Sequence, residues 1–372
     1  MPSIQIHSIK QISTHQSYHG WPTIARRRNG ELLVAVSAGR DRHVCPFGQV
    51  HLLRSSDNGQ TWTQSMVVNT PLDDRDAGIL ETRSGTLILN WFTSIAWMMK
   101  LEQVEKAGPE VCSATGDLFV GQCQKIRALL DRATIDRELG PWVIRSVDGG
   151  ATWSEKINPQ VGAPHGPIEL NDGRLLYVGN AKRTTENAKG SPYDPYLAVS
   201  ESTDDGQTWR VIAKLPVRSN DPTVYDCEPH VVEAANGRLI VFIRNHSQRD
   251  KGMLLQCESD DGGKTWTEPY ANGLWGFPAH LLRLKAGRLL ATYGYRADPY
   301  GNRVAVSDDH GATWSAPMTL SAEEAHRDIG YPSSVELPDG SMISVWYEAV
   351  PNPATPARKW GVVRMARWSW VG

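Results

Sequence analysis

Short apolar runs alternate with polar, glycine-bearing stretches along most of this chain. Six times a tight turn feeds an apolar run: NGELLVAV (29–36), SGTLILNW (84–91), DGRLLYVG (172–179), NGRLIVFI (236–243), AGRLLATY (286–293) and DGSMISVW (339–346). Before each turn lies another short run, such as HVVEA (230–234) or HLLRL (280–284). Strand, glycine turn, strand is the pattern of a β-hairpin. A helical period is visible in CQKIRALLDRA (123–133), inside a long interval that interrupts the strand pattern.

A second repeat runs in phase with the hairpins. SSDNGQTW (55–62), SVDGGATW (146–153), STDDGQTW (202–209), SDDGGKTW (259–266) and SDDHGATW (307–314) all obey Ser-x-Asp-x-Gly-x-Thr-Trp. The units recur at intervals of the size used by propeller blades. Ser and Asp side chains suit a turn, Gly supplies positive φ, and Trp is expected to pack between blades. An EF-hand loop would need a Glu six residues beyond its Gly, and none of these boxes has one. The boxes are therefore expected to be scaffold.

Six hairpins with a box after five of them predict an all-β fold, a six-bladed β-propeller. One domain spanning 1–372 is expected. The sixth blade has no box, and IQIHSI (4–9) is expected to close it against RMARWSW (364–370). The long first interval reads as an insertion within blade 2, about 94–140, partly helical.

Composition removes several function classes. Lys and Arg number 39 against 41 Asp and Glu, giving a net charge of −2 without a basic run, so no nucleic-acid partner is expected. No apolar stretch is long enough to span a membrane. MPSIQIHSIK lacks an apolar h-region, so a cytoplasmic location is expected. The five cysteines, an odd number without paired spacing, read as reduced thiols. Neither Cys45 nor Cys227 is favoured as a nucleophile, and the oligomeric state is not legible.

If the hairpin turns share one face, the starts of the first strands and the ends of the second strands share the other. The ninth residues before the turn glycines are Trp21, Asp76, Pro164, Glu228, Pro278 and Tyr331, with His165, His230 and His280 close by. The second strands end at Gly39-Arg40-Asp41, Trp91-Phe92, Asn180, Arg244-Asn245, Tyr295-Arg296 and Tyr347-Glu348. Charges gathered where every blade converges are costly unless paired or used, so this rim is the expected site. The insertion and the loop 181–195 leave from the same rim and are expected to wall it. Trp97 and the two Met beside it read equally as ligand contacts or as packing of the insertion. The histidines come from separate blades without close ligand spacing, so hydrogen bonding is favoured over metal, and no cofactor is expected.

Five boxes, six blades and this rim resemble the sialidase (neuraminidase) family, nearly end to end. GYPSSVELPDGSMISVWYEA (330–349) resembles the segment that carries the family's nucleophilic tyrosine and a later Glu, which implies roles for Tyr331 and Glu348. CEPHVVEAANGRLIVFIRN (227–245) resembles the segment with the activating glutamate and a carboxylate-binding arginine, which implies Glu228 and Arg244. APHGPIELNDGRLL (163–176) resembles the blade 3 hairpin. The family's first triad arginine lies in an Arg-Ile-Pro motif, and here that place reads GWP (20–22). Arg40 is the nearest replacement, and Arg296 or Arg303 would be the third arginine. The family's acid aspartate lies after the second strand of blade 1. Asp41 is the nearest Asp, with Asp74 and Asp76 as alternatives at blade 2.

The resemblance implies an exo-glycoside hydrolase that releases a terminal acidic sugar, sialic acid or a relative. A carboxylate at the anomeric carbon would repel a carboxylate nucleophile, so a tyrosine with Glu228 as its base suits the chemistry. Clustered arginines would grip the substrate carboxylate. His43, His165, His230 and His280 are an unusual load of possible substrate contacts. The missing arginine and the extra histidines leave two alternatives open. One is a propeller enzyme acting on a uronic acid or deoxysugar, as hydrolase or lyase. The other is a non-catalytic glycan-binding propeller.

Overall fold

A computed structural model describes residues 2–13, 17–182, 193–219, 221, 223, 224, 226–322, 326–352 and 359–371. Most of the loop 181–195 lies outside them. The described strands form six antiparallel sheets, the blades of a propeller. Blade 1 runs Tyr18–Arg26, Leu32–Arg40, Gln49–Ser55, Thr63–Val68; blade 4 runs Asp226–Glu233, Leu239–Asn245, Met253–Ser259, Tyr270–Trp275; blade 5 starts with Phe277–Arg283. In blade 6 the order from the inside is Ile329–Glu336, Met342–Pro351, Lys359–Val371 and then Ser3–Gln11. Ile4 pairs with Trp370 and Ile6 with Trp368, so the first strand closes the last blade.

The second strand of each blade is buried on both faces, which is why its residues read as an unbroken apolar run. Leu32–Val36, Leu239–Ile243 and Leu289–Ala291 are all essentially inaccessible. The apolar clusters bridge neighbouring blades. One joins Leu32, Val34 and Leu53 of blade 1 to Ile343, Val345 and Met365 of blade 6.

The innermost strands share a local defect that sets the geometry of the rim. In blades 1, 2, 4 and 6 three steps on the inner strand match two on its partner. Arg75 pairs with Phe92 but Gly78 with Asn90; Cys227 pairs with Arg244 but His230 with Phe242; Gly330 pairs with Tyr347 but Ser333 with Val345. Each is a β-bulge carrying one extra residue. The residue at the bulge is left-handed although not glycine: Trp21 (φ 57°), Asp76 (φ 51°), Glu228 (φ 49°) and Tyr331 (φ 52°), and His165 of blade 3 joins them at 68°. In three of the four bulges proline follows: Pro22, Pro229 and Pro332. Proline has no N–H to lose, so a bulge is one of the few sheet positions that tolerates it.

The helical insertion follows the second strand of blade 2, Leu87–Ser94. It comprises α1 (Ala96–Ala107), α2 (Pro109–Thr115), α3 (Asp117–Leu129) and α4 (Arg132–Glu138), and the chain returns in Pro141–Ser146. Its own small core includes Trp97, Leu101, Val120 and Cys123. No helix among the described residues is long and apolar enough to cross a membrane.

Each box sits in the turn after the third strand of its blade. In the first, the Ser55 hydroxyl donates to Asp57 (2.7 Å) and accepts from the Gly59 amide (2.9 Å). The Thr61 amide and hydroxyl donate to Asp57 at 2.9 and 2.6 Å, and the Trp62 indole donates to the Gly59 carbonyl at 3.1 Å. Trp62 then packs on the cluster shared by blades 1 and 6. The Thr61 hydroxyl and amide, with the Ser55 hydroxyl, hold the Asp57 carboxyl below the usual carboxylate range. A depressed pKa contributes stability that is present above the unfolded value of about 3.9 and lost as pH falls further. Asp57→Ala is therefore expected to lower Tm by a few degrees at neutral pH, with a smaller difference near pH 3 and kcat unchanged. Paired calorimetric scans and activity assays check this; a loss of activity without a change in Tm contradicts the scaffold role.

Candidate active site

The bulges bring side chains from distant blades to one point at the rim. The Tyr331 hydroxyl donates to Glu228 Oε1 at 2.7 Å. Arg244 Nη1 donates to the other Glu228 oxygen at 2.5 Å and to the Tyr331 oxygen at 3.0 Å. Two strands of blade 4 thus converge on a phenol of blade 6. Glu228 is half-buried, and this desolvation by itself raises its pKa, but the adjacent Arg244 guanidinium and the Tyr331 hydroxyl hold it below its ordinary value. Burial and the Glu228 charge keep Tyr331 protonated, well above the ordinary phenol range. Arg244 Nε is buried without a hydrogen-bond partner among the described residues.

Arg296 joins from the end of the blade 5 hairpin. Its Nε donates to the Ile329 carbonyl at 3.0 Å, and its guanidinium lies 5.9 Å from the Tyr331 ring centre. Phe277 packs beneath both arginines, 5.3 Å from Arg244 and 5.8 Å from Arg296. His246 stacks on Phe277 at 5.9 Å.

Asp76 supplies the second carboxyl. It is buried, and its Oδ1 has no hydrogen-bond partner among the described residues. Burial pushes its pKa up to about 7, against the pull of Arg75 and with the Glu228 charge adding to the rise. Below about pH 7 the site therefore holds one ionised and one protonated carboxyl. Such a divergence is how acid and base roles are separated.

Trp21 occupies the blade 1 position. Its indole packs edge-on against Tyr331 (6.3 Å), and its ring centre lies 4.2 Å from the Arg75 guanidinium and 5.0 Å from that of Arg40. Beside it, Asp328 accepts hydrogen bonds from the Tyr18 and Tyr347 hydroxyls, both at 2.7 Å, and lies 3.2 Å from His43 Nδ1. Tyr18, Trp21, Tyr331 and Tyr347 form a continuous aromatic floor.

Several rim residues expected from the sequence do not join this cluster. Arg40 is buried beneath Trp21: it pairs with both Asp73 oxygens, at 2.5 and 3.1 Å, and donates to the His43 carbonyl at 3.0 Å. Arg303 lies on the third strand of blade 5 and donates to the carbonyls of Asn302 and Ser321. Glu348 accepts from Arg364 Nε at 2.6 Å, on the next strand of its own blade, rather than from a rim arginine. Asp41 accepts from Arg42 Nε at 2.7 Å, and Asp74 accepts from the Thr70 amide at 2.8 Å. His230 stacks on His280 at 4.7 Å and His165 lies 5.2 Å from His280, one layer deeper along the axis. Burial holds all three below the ordinary histidine pKa, so they form a neutral plug under the site. Among the described residues no group of three His, Cys, Asp or Glu side chains has the geometry to hold a metal. Burial keeps the Cys227 thiol protonated.

Sequence reasoning missed Asp328, Tyr18, Arg75, Phe277 and His246. Asp328 and Tyr18 stand three residues before Tyr331 and Trp21, an offset that the bulge period contains but side-chain identity does not announce. The Arg40–Asp73 pair makes its own prediction. Removing one partner of a fully buried pair costs about 3–5 kcal/mol because the other charge is left unpaired. Arg40→Met is expected to show that loss in denaturant unfolding; retained stability with a raised KM would instead make Arg40 a substrate ligand.

Comparisons with known proteins agree with this architecture. Residues 130–344 match the model of the BNR repeat-like domain. A sialidase of Bacteroides fragilis is 26% identical over 229 residues, covering 55% of this chain and 38% of that protein. The chain thus corresponds to well under half the length of that relative. A solved structure of unknown function from Dyadobacter fermentans superposes with a TM-score of 0.76 at 22% identity, over 99% of this chain and 100% of the other. The Hadza microbial sialidase Hz136 superposes at 0.62 and 19% identity, over 94% of this chain and 65% of that one. With its family match over more than half of its length, the chain belongs to the BNR repeat-like family.

Proposed function

We propose that the protein is a retaining exo-glycosidase that releases a terminal acidic sugar, with Tyr331 as nucleophile, Glu228 as its base and Asp76 as the acid. The observation that carries this reading is the Tyr331–Glu228–Arg244 contact set, a carboxylate and a guanidinium from two strands of blade 4 brought onto the phenol oxygen of blade 6. A phenol is a poor nucleophile at its free pKa and needs a base within hydrogen-bond reach, which Glu228 supplies at 2.7 Å.

In the first step the Tyr331 oxygen bonds to the anomeric carbon and the bond to the leaving oxygen breaks. The phenol proton goes to Glu228, and the leaving oxygen takes a proton from Asp76. In the second step water adds to the anomeric carbon and gives its proton to Asp76. The carbon–tyrosine bond breaks, and the phenol oxygen regains its proton from Glu228. Two inversions give net retention. A neutral nucleophile suits an anomeric carbon that bears a carboxylate, because a carboxylate attacker would meet charge repulsion. Arg244 Nε and the Arg296 guanidinium supply the cations for that carboxylate. A charge-assisted pair at each is worth roughly twice a neutral hydrogen bond.

Trp21 favours a second reading of the substrate. It stands where the resemblance calls for an arginine, so the sugar carboxylate meets two rim arginines instead of three. That suits a uronic acid or another sugar with a differently placed acid group. Product analysis separates these readings, since elimination leaves an unsaturated product absorbing in the ultraviolet.

The reading is tested with a panel of aryl sialosides and aryl uronides. Tyr331→Phe and Glu228→Gln are each expected to lower kcat/KM by at least about 100-fold on the hydrolysed substrate, the lower end of general-base effects. Full activity in Tyr331→Phe refutes the mechanism. The pH profile gives an independent check. Asp76 must hold its proton, so kcat/KM is expected to fall as pH rises through about 7. Asp76→Asn is expected to remove that limb and to lose more activity on a methyl glycoside than on an aryl glycoside with an acidic leaving group. An equal loss on both substrates assigns the acid elsewhere.

A further inference from the structure

The helical insertion adds a cavity that the propeller alone does not have. It has a volume of about 250 Å³ and opens between α1, α3 and the loop after the second strand of blade 1. Its wall is apolar: Val44, Trp97, Leu101, Phe119 and Val120. Trp97, Leu101 and Val120 are themselves nearly inaccessible, so this wall is fixed by the core of the insertion. A cavity of about 150 Å³ lined by aliphatic and aromatic groups holds one benzene. This volume fits one or two fused rings.

The cavity shares a wall residue with the rim. His43 lines it and also contacts Asp328 and Tyr18, at 3.2 and 2.9 Å. The His43 carbonyl accepts from Arg75 at 3.0 Å, and Arg75 is the chain neighbour of Asp76. The cavity therefore adjoins the blade 1–2 side of the site, where Asp76 would protonate the leaving oxygen. Two cations stand on its wall. Arg42 lies 3.5 Å from the Phe119 ring centre, and Lys100 has no ion-pair partner among the described residues. Cations beside aromatic faces favour an electron-rich ring.

We infer that this cavity is the leaving-group subsite, built to take an aromatic aglycone of one or two rings. The inference rests on the glycosidase reading above and adds to it the class of the aglycone. The insertion thereby selects the group on the far side of the scissile bond, while the bulge residues select the sugar.

The probe is 2-naphthol, whose binding does not depend on turnover. Titration calorimetry with the full chain is expected to show 2-naphthol binding that weakens at least tenfold in Leu101→Trp, which fills the cavity. Val120→Phe fills it from the opposite helix and serves where the first variant fails to reach wild-type Tm. In parallel, the wild-type KM for the naphthyl glycoside of the hydrolysed sugar is expected to lie at least tenfold below that for the methyl glycoside. Unchanged naphthol binding in both filled variants, or no binding to the wild type, overturns the subsite. Equal KM values for the two glycosides overturn its assignment to the aglycone. Naphthol binding lost on filling, together with no turnover of any glycoside, leaves the cavity as an aromatic site and overturns the glycosidase reading.

Discussion

The left-handed bulge at the entrance of the inner strands of blades 1, 2, 4 and 6 is the constraint on which the site depends. In a regular strand successive side chains alternate between faces, and the blade interfaces claim both. One extra residue breaks that alternation and releases a side chain toward the axis. Each such non-glycine residue costs on the order of 1–3 kcal/mol, so a ring of them persists only where the surrounding strands over-determine it. The buried second strands and the inter-blade clusters provide that rigidity. The boxes, at the opposite edge of five of the blades, tie the outer turn to the same clusters through Trp.

Charge is arranged around the bulge residues in two tiers. Below Trp21, the Arg40–Asp73 pair is buried and bidentate, and it supports the loop that carries His43. Above it, Glu228 is held ionised by Arg244 while burial keeps Asp76 protonated up to about pH 7. The same low-dielectric setting gives opposite outcomes because only one of the two carboxyls has a guanidinium in direct contact. The histidine plug beneath adds no charge, since burial keeps its rings neutral.

Much of this was legible in the sequence because it is periodic. The boxes mark the phase of each blade, and a count of nine back from the turn glycines reaches Trp21, Asp76, Glu228 and Tyr331 without any structure. The X-Pro dipeptides at three of those positions are the bulge's own signature. Partners chosen by side-chain reach were not legible. Arg40 ends its strand at the rim yet turns inward to Asp73, because the fully buried pair satisfies it there. Glu348 sits one residue past Tyr347, and strand alternation sends it to Arg364 while Tyr347 faces Asp328. Arg303 is absorbed by backbone carbonyls at the edge of its blade. The insertion has no period in common with the blades, so its docking against the rim and its cavity came only from the fold.

The central claim is that the phenol oxygen of Tyr331 bonds covalently to the sugar. The most direct measurement is intact-mass and peptide mass spectrometry after incubation with an activated 3-fluoro-sialosyl fluoride, which forms the glycosyl–enzyme quickly and hydrolyses it slowly. The account predicts one added sugar per chain on the peptide containing Tyr331, absent in Tyr331→Phe. An adduct on Glu228, Asp76 or another residue, in an enzyme that still turns over sialosides, would contradict it.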